Sequence, residues 1–369
     1  MQPNMNLLFR PDIPGPQGAS CLDKVNCPPW RQFDKKLNDA APAKAVKMDE
    51  RDAKRGMGYQ SDQNEALLVS AALHLRRPLL VTGPAGAGKT TLAYAVAWQL
   101  GLGNVLHWAI TSRSTLQEGL YHYDAIARLN DAALAQTGKV QGIDPNDIGR
   151  YIRLGPLGTA LLPNPTGPYR PRVLLIDEID KSDMDLPNDL LHVFEEGWYP
   201  IPEISRMPSA VGTAEVQVEV DPKWQEAFTE GKTAIPRSGM VKCHDFPLVI
   251  MTSNGERDFP PAFLRRCLRL DIPLPSSEKL LRLVKARFQA PEDDKPASES
   301  AIDSEISKLV TAFEKEVNES ESALATDQLL NAIFLAKSSL GLNDYLQGQV
   351  LRTLSERPLS IHAKNRKDG

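Results

Sequence analysis

Gly83-Pro84-Ala85-Gly86-Ala87-Gly88-Lys89-Thr90 fits the pattern GxxxxGK[ST] without a mismatch. Its glycines let the backbone curl until successive N–H groups face phosphate oxygens. Lys89 then reaches the β- and γ-phosphates of a bound nucleotide, Thr90 offers a hydroxyl to Mg²⁺, and Thr91 completes the phosphate-binding set. Farther along, Val173-Leu174-Leu175-Ile176 ends in Asp177-Glu178. A buried strand closing on two carboxylates puts Asp177 at the sheet edge, where it holds Mg²⁺ through water, and turns Glu178 toward the γ-phosphate as a base for the attacking water. A solvated strand end is the plainer reading of the same pair. The run Leu248–Met251 leads into Thr252-Ser253-Asn254, and an asparagine leaving a strand beside Glu178 would orient that water. Asn254 as a turn residue before Gly255 is the alternative. Arg265 and Arg266 end a short helix just before another strand, where an arginine serving a neighbouring subunit's γ-phosphate would sit; a surface salt bridge is the other reading.

The elements needed to position these groups are visible in the apolar pattern. Pro78–Thr82 is a short buried strand, and the phosphate loop lies between it and a helix over Thr90–Leu100, the strand–loop–helix setting such a loop requires. Further strand-length runs lie at Asn104–Ile110, Val173–Ile176, Leu248–Met251 and Cys267–Ile272, separated by helix-compatible segments. That alternation predicts an α/β fold with a parallel sheet covered on both faces. Ala66, Leu67, Leu68, Ala71, Ala72 and Leu75 are spaced for one face of a helix ahead of the first strand. Beyond Pro275 the strand-like runs stop and helical periodicity takes over. The expected organisation is a proline-rich extended arm over 1–58, a nucleotide-binding core over 59–275 with inserts near 121–170 and 197–245, a helical lid over 276–356 and a polar tail over 357–369. A β-hairpin around Val216–Val220 is expected within the second insert.

Composition narrows the function classes. In 369 residues, 43 Lys and Arg stand against 47 Asp and Glu, a net charge of −4 with pI about 5.9, which disfavours nonspecific duplex binding. Four cysteines are too few for a disulfide framework in a chain of this length, and the CxxxxxC spacing of Cys21 and Cys27 matches no common zinc template. The histidines form no HExxH or similar ligand pair. Mean hydropathy is −0.33 with no apolar run approaching membrane length, and the N-terminus lacks the pattern of a signal peptide, so a cytoplasmic protein is expected.

In this order, the phosphate loop, Asp-Glu strand, Asn-bearing strand, twin arginines and C-terminal helices resemble the AAA+ ATPases, and within them the MoxR and dynein-related (AAA_5) branch. The narrower likeness rests on LLIDEIDKSD, IMTSNGERDFPPAFLRRC and GPLGTAL, and covers about 59–356. The resemblance implies that Lys89 and Thr90 are Walker A, Asp177 and Glu178 Walker B, Asn254 sensor 1 and Arg266 the arginine finger, with Arg265 as its fallback. It implies Mg-ATP hydrolysis in a homo-oligomeric ring, usually a hexamer, and chaperone-like remodelling of a protein client, often beside a von Willebrand A domain partner and sometimes in bacterial defence. Ala325-Thr326-Asp327-Gln328 stand where relatives often carry a sensor 2 arginine, so that contact is expected to be absent or supplied elsewhere. Tyr121, Tyr123 and Tyr151 are pore-loop candidates by the same likeness, with a buried or stacked tyrosine as the plainer reading. Thr111 is a candidate modulator of Glu178, and Tyr59 with Gln60 a candidate base contact. Two other roles remain open: a nucleic-acid-linked motor resembling McrB-type restriction GTPases, and a nucleotide-controlled assembly switch.

Overall fold

The computed structural model describes residues 7–10, 16–33, 47–136, 144–163, 169–207, 214–276, 278–280 and 282. Nearly all of the expected lid, with its sensor 2 position, and the whole tail lie outside these residues. The described residues fall into two compact units, one drawn from Met1–Thr82 and Thr90–Asp271, the other from Gly83–Lys89 and Ile272–Gly369.

In chain order the strands are β1 (Leu79–Thr82), β2 (Leu106–Ala109), β3 (Tyr121–Tyr123), β4 (Ile152–Leu154), β5 (Val173–Asp177), β6 (Trp198–Pro200), β7 (Glu215–Glu219), β8 (Lys232–Pro236), β9 (Met240–Lys242), β10 (Leu248–Ser253) and β11 (Leu268–Asp271). The helices are α1 (Glu50–Gly56), α2 (Gln63–Leu75), α3 (Lys89–Gln99), α4 (Leu116–Leu120), α5 (Ala125–Gln136), α6 (Pro156–Ala160), α7 (Leu186–Glu196), α8 (Pro202–Ser205) and α9 (Pro261–Leu264).

Five strands make the central sheet, in the order β11-β1-β10-β5-β2, every pair parallel. All five coincide with the apolar runs read from sequence. β10 is buried at every position and β5 at all but its last, because helices cover both faces and a strand without a wet side needs no alternation. The register aligns the carboxyl ends: Thr82 pairs with Ser253, Met251 with Ile176 and Ala109 with Asp177. Residues that leave these strands therefore emerge along one edge, the usual ligand-binding edge of an open α/β sheet.

The two expected inserts share one structure. β3 and β4 from the first and β7 and β8 from the second form a four-stranded sheet in the order β3-β4-β7-β8. β7 and β8 are the expected hairpin, Val216 pairing with Ile235 and Val218 with Thr233. β4 and β7 join the inserts in parallel, Arg153 opposite Glu219, and the two side chains form an ion pair at 2.7 Å. α6, within GPLGTAL, packs tightly on the chain leaving α4: a Cβ at Gly158 would collide with the Leu120 carbonyl oxygen. A side chain there would push the second sheet off the core.

The arm departs from the extended reading. Leu8 and Phe9 are buried, and both backbone N–H groups donate to Ser70 Oγ on α2. Arg10 and Gln17 donate from the backbone to Gln99 at the end of α3, and Glu50–Gly56 is helical. Prolines suppress regular structure without preventing a segment from lying in a groove. The cysteines are free, and burial pushes the thiols of Cys243 and Cys267 up to about 12. No helix among the described residues is long and apolar enough to cross a membrane.

Candidate functional site

The phosphate loop is built to leave its backbone exposed to a ligand. Gly83, Gly86 and Gly88 all have positive φ, at 144°, 76° and 94°, a region closed to most side chains. At Gly83 the constraint is double, because a Cβ would also collide with the Ile272 carbonyl oxygen. Lys89 Nζ donates to the Gly83 and Pro84 carbonyls at 2.7 and 2.8 Å, which holds a buried ammonium inside the loop. Ala87 N–H bonds back to Pro84 O at 3.3 Å and tightens the turn.

At the carboxyl edge of the sheet, Asp177 is the centre of a converging hydrogen-bond set. Its Oδ1 accepts from Thr90 Oγ1 at 2.9 Å and from Thr252 Oγ1 at 2.6 Å, and its Oδ2 lies 3.2 Å from His107 Nε2. Burial pushes this carboxyl up, but the bonds from His107, Thr252 and Thr90 outweigh it and hold the group below the usual aspartate range. A half-buried carboxylate kept ionised beside a threonine hydroxyl is a hard-oxygen donor set, and it fits Mg²⁺.

Glu178 sits at φ 60° and ψ 50°, the left-handed conformation that costs a residue with a Cβ roughly 1–2 kcal/mol. Thr252 Oγ1 accepts the Glu178 N–H at 2.8 Å and so helps to hold the strained turn. The Glu178 carboxylate bonds Lys181 Nζ at 2.7 Å, and both side chains are partly exposed. That bond holds the Lys181 ammonium above its usual value.

Asn254 leaves β10 at the same edge. Its backbone N–H donates to Asp180 Oδ2 at 2.8 Å, as do Ser253 Oγ at 3.0 Å and Glu256 N–H at 3.2 Å. Asp180, two residues beyond Glu178, thus fixes the loop that carries Asn254. Thr90 and Asp177 meet directly, and Asp180 ties the Asn254 loop to the turn that carries Glu178. Four contributors were not anticipated: Thr252, His107, Asp180 and Lys181. Thr252 stood next to a residue already singled out, and His107 alternates outward on β2. Only the parallel register, with Ala109 opposite Asp177, shows that either reaches the carboxylate.

The arginines are elsewhere. β11 begins beside the start of β1, Leu268 opposite Leu79, so Arg265 and Arg266 lie by the amino edge of the sheet, away from Asp177. Arg266 pairs with Glu195 at 2.9 Å and also donates to the Ala262 carbonyl. Arg265 is exposed at the end of α9, and its side chain has no ion-pair partner among the described residues.

The tyrosines proposed for a pore have other partners. Tyr121 and Tyr151 are buried and donate to Glu203 and Asp131, each at 2.8 Å, and burial together with those carboxylates pushes both phenols up. The Tyr123 hydroxyl accepts from Arg128 at 3.1 Å. Thr111 spends its N–H on Ser114 Oγ, with the two hydroxyls 3.3 Å apart. Burial beside Glu65 pushes the Tyr59 phenol well up, and Gln60 is half-buried.

Over residues 79–194 the sequence matches the family model described as ATPase family associated with various cellular activities (AAA). No curated protein matches the chain. The matched segment runs from β1 to α7 and includes the phosphate loop and Asp177-Glu178. Together with the parallel central sheet it supports a P-loop α/β fold and a nucleotide-hydrolysing ATPase of the AAA+ class. Asn254, Arg265 and Arg266 lie beyond it.

Proposed function

We propose that this chain is a magnesium-dependent ATPase of MoxR type that assembles into a ring, hexameric by resemblance, and uses hydrolysis to remodel a protein client or partner complex. The supporting observation is the convergence of Thr90 and Thr252 on one oxygen of Asp177, with Glu178 as the next residue along the same sheet edge. Thr90 and Asp177 would hold Mg²⁺, which would supply charge neutralisation at the phosphates of the bound nucleotide. Lys89 and the loop N–H groups bind those phosphates. Glu178 accepts the proton of the attacking water as the bond from the γ-phosphorus to the bridging oxygen breaks, and Asn254 orients that water. Arg266, at the amino edge of its own sheet, completes the site of a neighbouring subunit.

The partner reading, including a von Willebrand A domain protein and a place in bacterial defence, rests on the likeness of LLIDEIDKSD, IMTSNGERDFPPAFLRRC and GPLGTAL. Purified protein should hydrolyse ATP with Mg²⁺ and lose at least about 100-fold in kcat in Glu178→Gln while still binding nucleotide. Unchanged turnover in Glu178→Gln would remove the assigned base. Arg266→Ala should lose turnover while each subunit retains nucleotide affinity, and Arg265→Ala assayed beside it decides which arginine is the finger.

A further inference from the structure

Beside the hydrolytic edge lies a pocket of about 220 Å³ that the catalytic reading does not use. Its walls come from the residues after β5 and after β10, among them Asp180, Asp183, Met184, Arg257, Asp258 and Phe259. Asp180 is 2% exposed, and while its Oδ2 takes three hydrogen bonds, its buried Oδ1 has no partner. A buried carboxylate oxygen without a donor is costly, and an anion satisfied on one side only favours a cation on the other. The nearest cations are committed: Arg257 Nη1 donates to Ser182 O at 2.9 Å and Lys181 to Glu178 at 2.7 Å. Met184 is 73% exposed at the same pocket, an apolar surface suited to methylene carbons.

We propose that this pocket receives Arg265 of a second copy of this chain. The inference rests on the ring reading given above. Three aspartates against one committed arginine call for a cation, and the apolar wall calls for one on an aliphatic stem. Arg265 is exposed and lacks an ion-pair partner among the described residues. It follows α9 at the amino edge of the sheet and is not among the residues that line the pocket of its own subunit. A donor on one edge and an acceptor on the opposite edge make a head-to-tail contact, the kind that closes into rings. The twin arginines then divide the work: Arg266 faces the neighbour's nucleotide and Arg265 anchors two residues away from Glu178.

The test is a charge exchange that leaves Asp180, and hence the Asn254 loop, intact. Assembly with ATP and Mg²⁺ is followed by sedimentation velocity over a concentration series. Asp183→Lys with Asp258→Lys, and separately Arg265→Glu, should each raise the half-assembly concentration at least about tenfold. The combined triple variant should return to within about threefold of wild type. Melting temperature and binding of a fluorescent ATP analogue by Asp183→Lys/Asp258→Lys should stay at wild-type values. Wild-type assembly in either parent variant, or loss in both without rescue in the triple, overturns the pocket assignment and leaves the ATPase reading standing. Normal assembly with lost turnover in Arg265→Glu makes Arg265 the finger and overturns the anchor. A wild-type chain that hydrolyses ATP but stays monomeric overturns the anchor and the ring together, and one that does neither overturns the functional reading as well.

Discussion

Thr252 was given no role of its own in the sequence reading, yet its one hydroxyl joins Asp177 and Glu178. It donates to Asp177 at 2.6 Å and accepts the Glu178 N–H at 2.8 Å. Thr252→Val keeps the shape of the side chain and removes both bonds. It leaves a half-buried carboxylate one donor short and a strained residue without its backbone anchor, a cost of about 1–3 kcal/mol. The expected result is a fall in kcat of about 10–100-fold with a raised requirement for Mg²⁺, while Thr252→Ser retains most activity. Steady-state kinetics over a Mg²⁺ series decide it, and wild-type behaviour in the valine variant would show the bridge to be incidental.

At the scale of elements, one guanidinium ties the arm to two helix ends. Arg31 is 6% exposed and donates to Arg76 O at 2.7 and 3.2 Å, to Phe194 O at 2.9 Å and to Glu195 O at 3.3 Å, so it caps the carbonyl ends of α2 and α7 together. Its planar face lies 5.0 Å from the Phe33 ring and 4.9 Å from that of Phe246. Arg31→Ala should destabilise the fold by about 2–4 kcal/mol, and Arg31→Lys should recover little, because an ammonium cannot serve three carbonyls and stack as well. Thermal melts of the three proteins check this, and equal melting temperatures would mean that the arm is only laid on the surface. Glu195, which also pairs with Arg31, is the partner of Arg266, so the same substitution removes one of the two ion pairs of Glu195. None of this was legible in the sequence. The partners of Arg31 are backbone carbonyls 45 to 164 positions away, and every residue has one. β1, β5 and β10 were legible because they are buried almost throughout and read as continuous apolar runs, whereas β2 and β11, at the sheet edges, keep exposed residues between their buried ones. EVQVE alternates as a half-buried hairpin strand must, whereas β3 and β4 have three residues each, too few to show any period. The convergence of His107 and Thr252 on Asp177 follows from strand register, which a local pattern does not encode.

For the whole molecule, the sheet has a direction, and the direction has a consequence. Asp177, Glu178 and Asn254 leave the carboxyl edge, while Arg265 and Arg266 precede β11 at the amino edge. Four residues of β1 separate the two edges, roughly 13 Å of extended chain, which on the proposed function makes the arginine of a neighbouring subunit the one that serves a γ-phosphate. On the proposed function each site takes its base from one chain and its arginine from the next, which makes a complementation experiment decisive. Glu178→Gln subunits carry an intact Arg266, and Arg266→Ala subunits carry an intact Glu178. Each variant alone should be nearly inactive. In a random equimolar mixture, about one interface in four joins an intact Glu178 to an intact Arg266, so the mixture should recover up to about a quarter of wild-type turnover. Recovery should vanish below the assembly concentration, where interfaces are lost. Activity in the mixture no higher than the mean of the two variants would mean that Arg266 does not act across an interface.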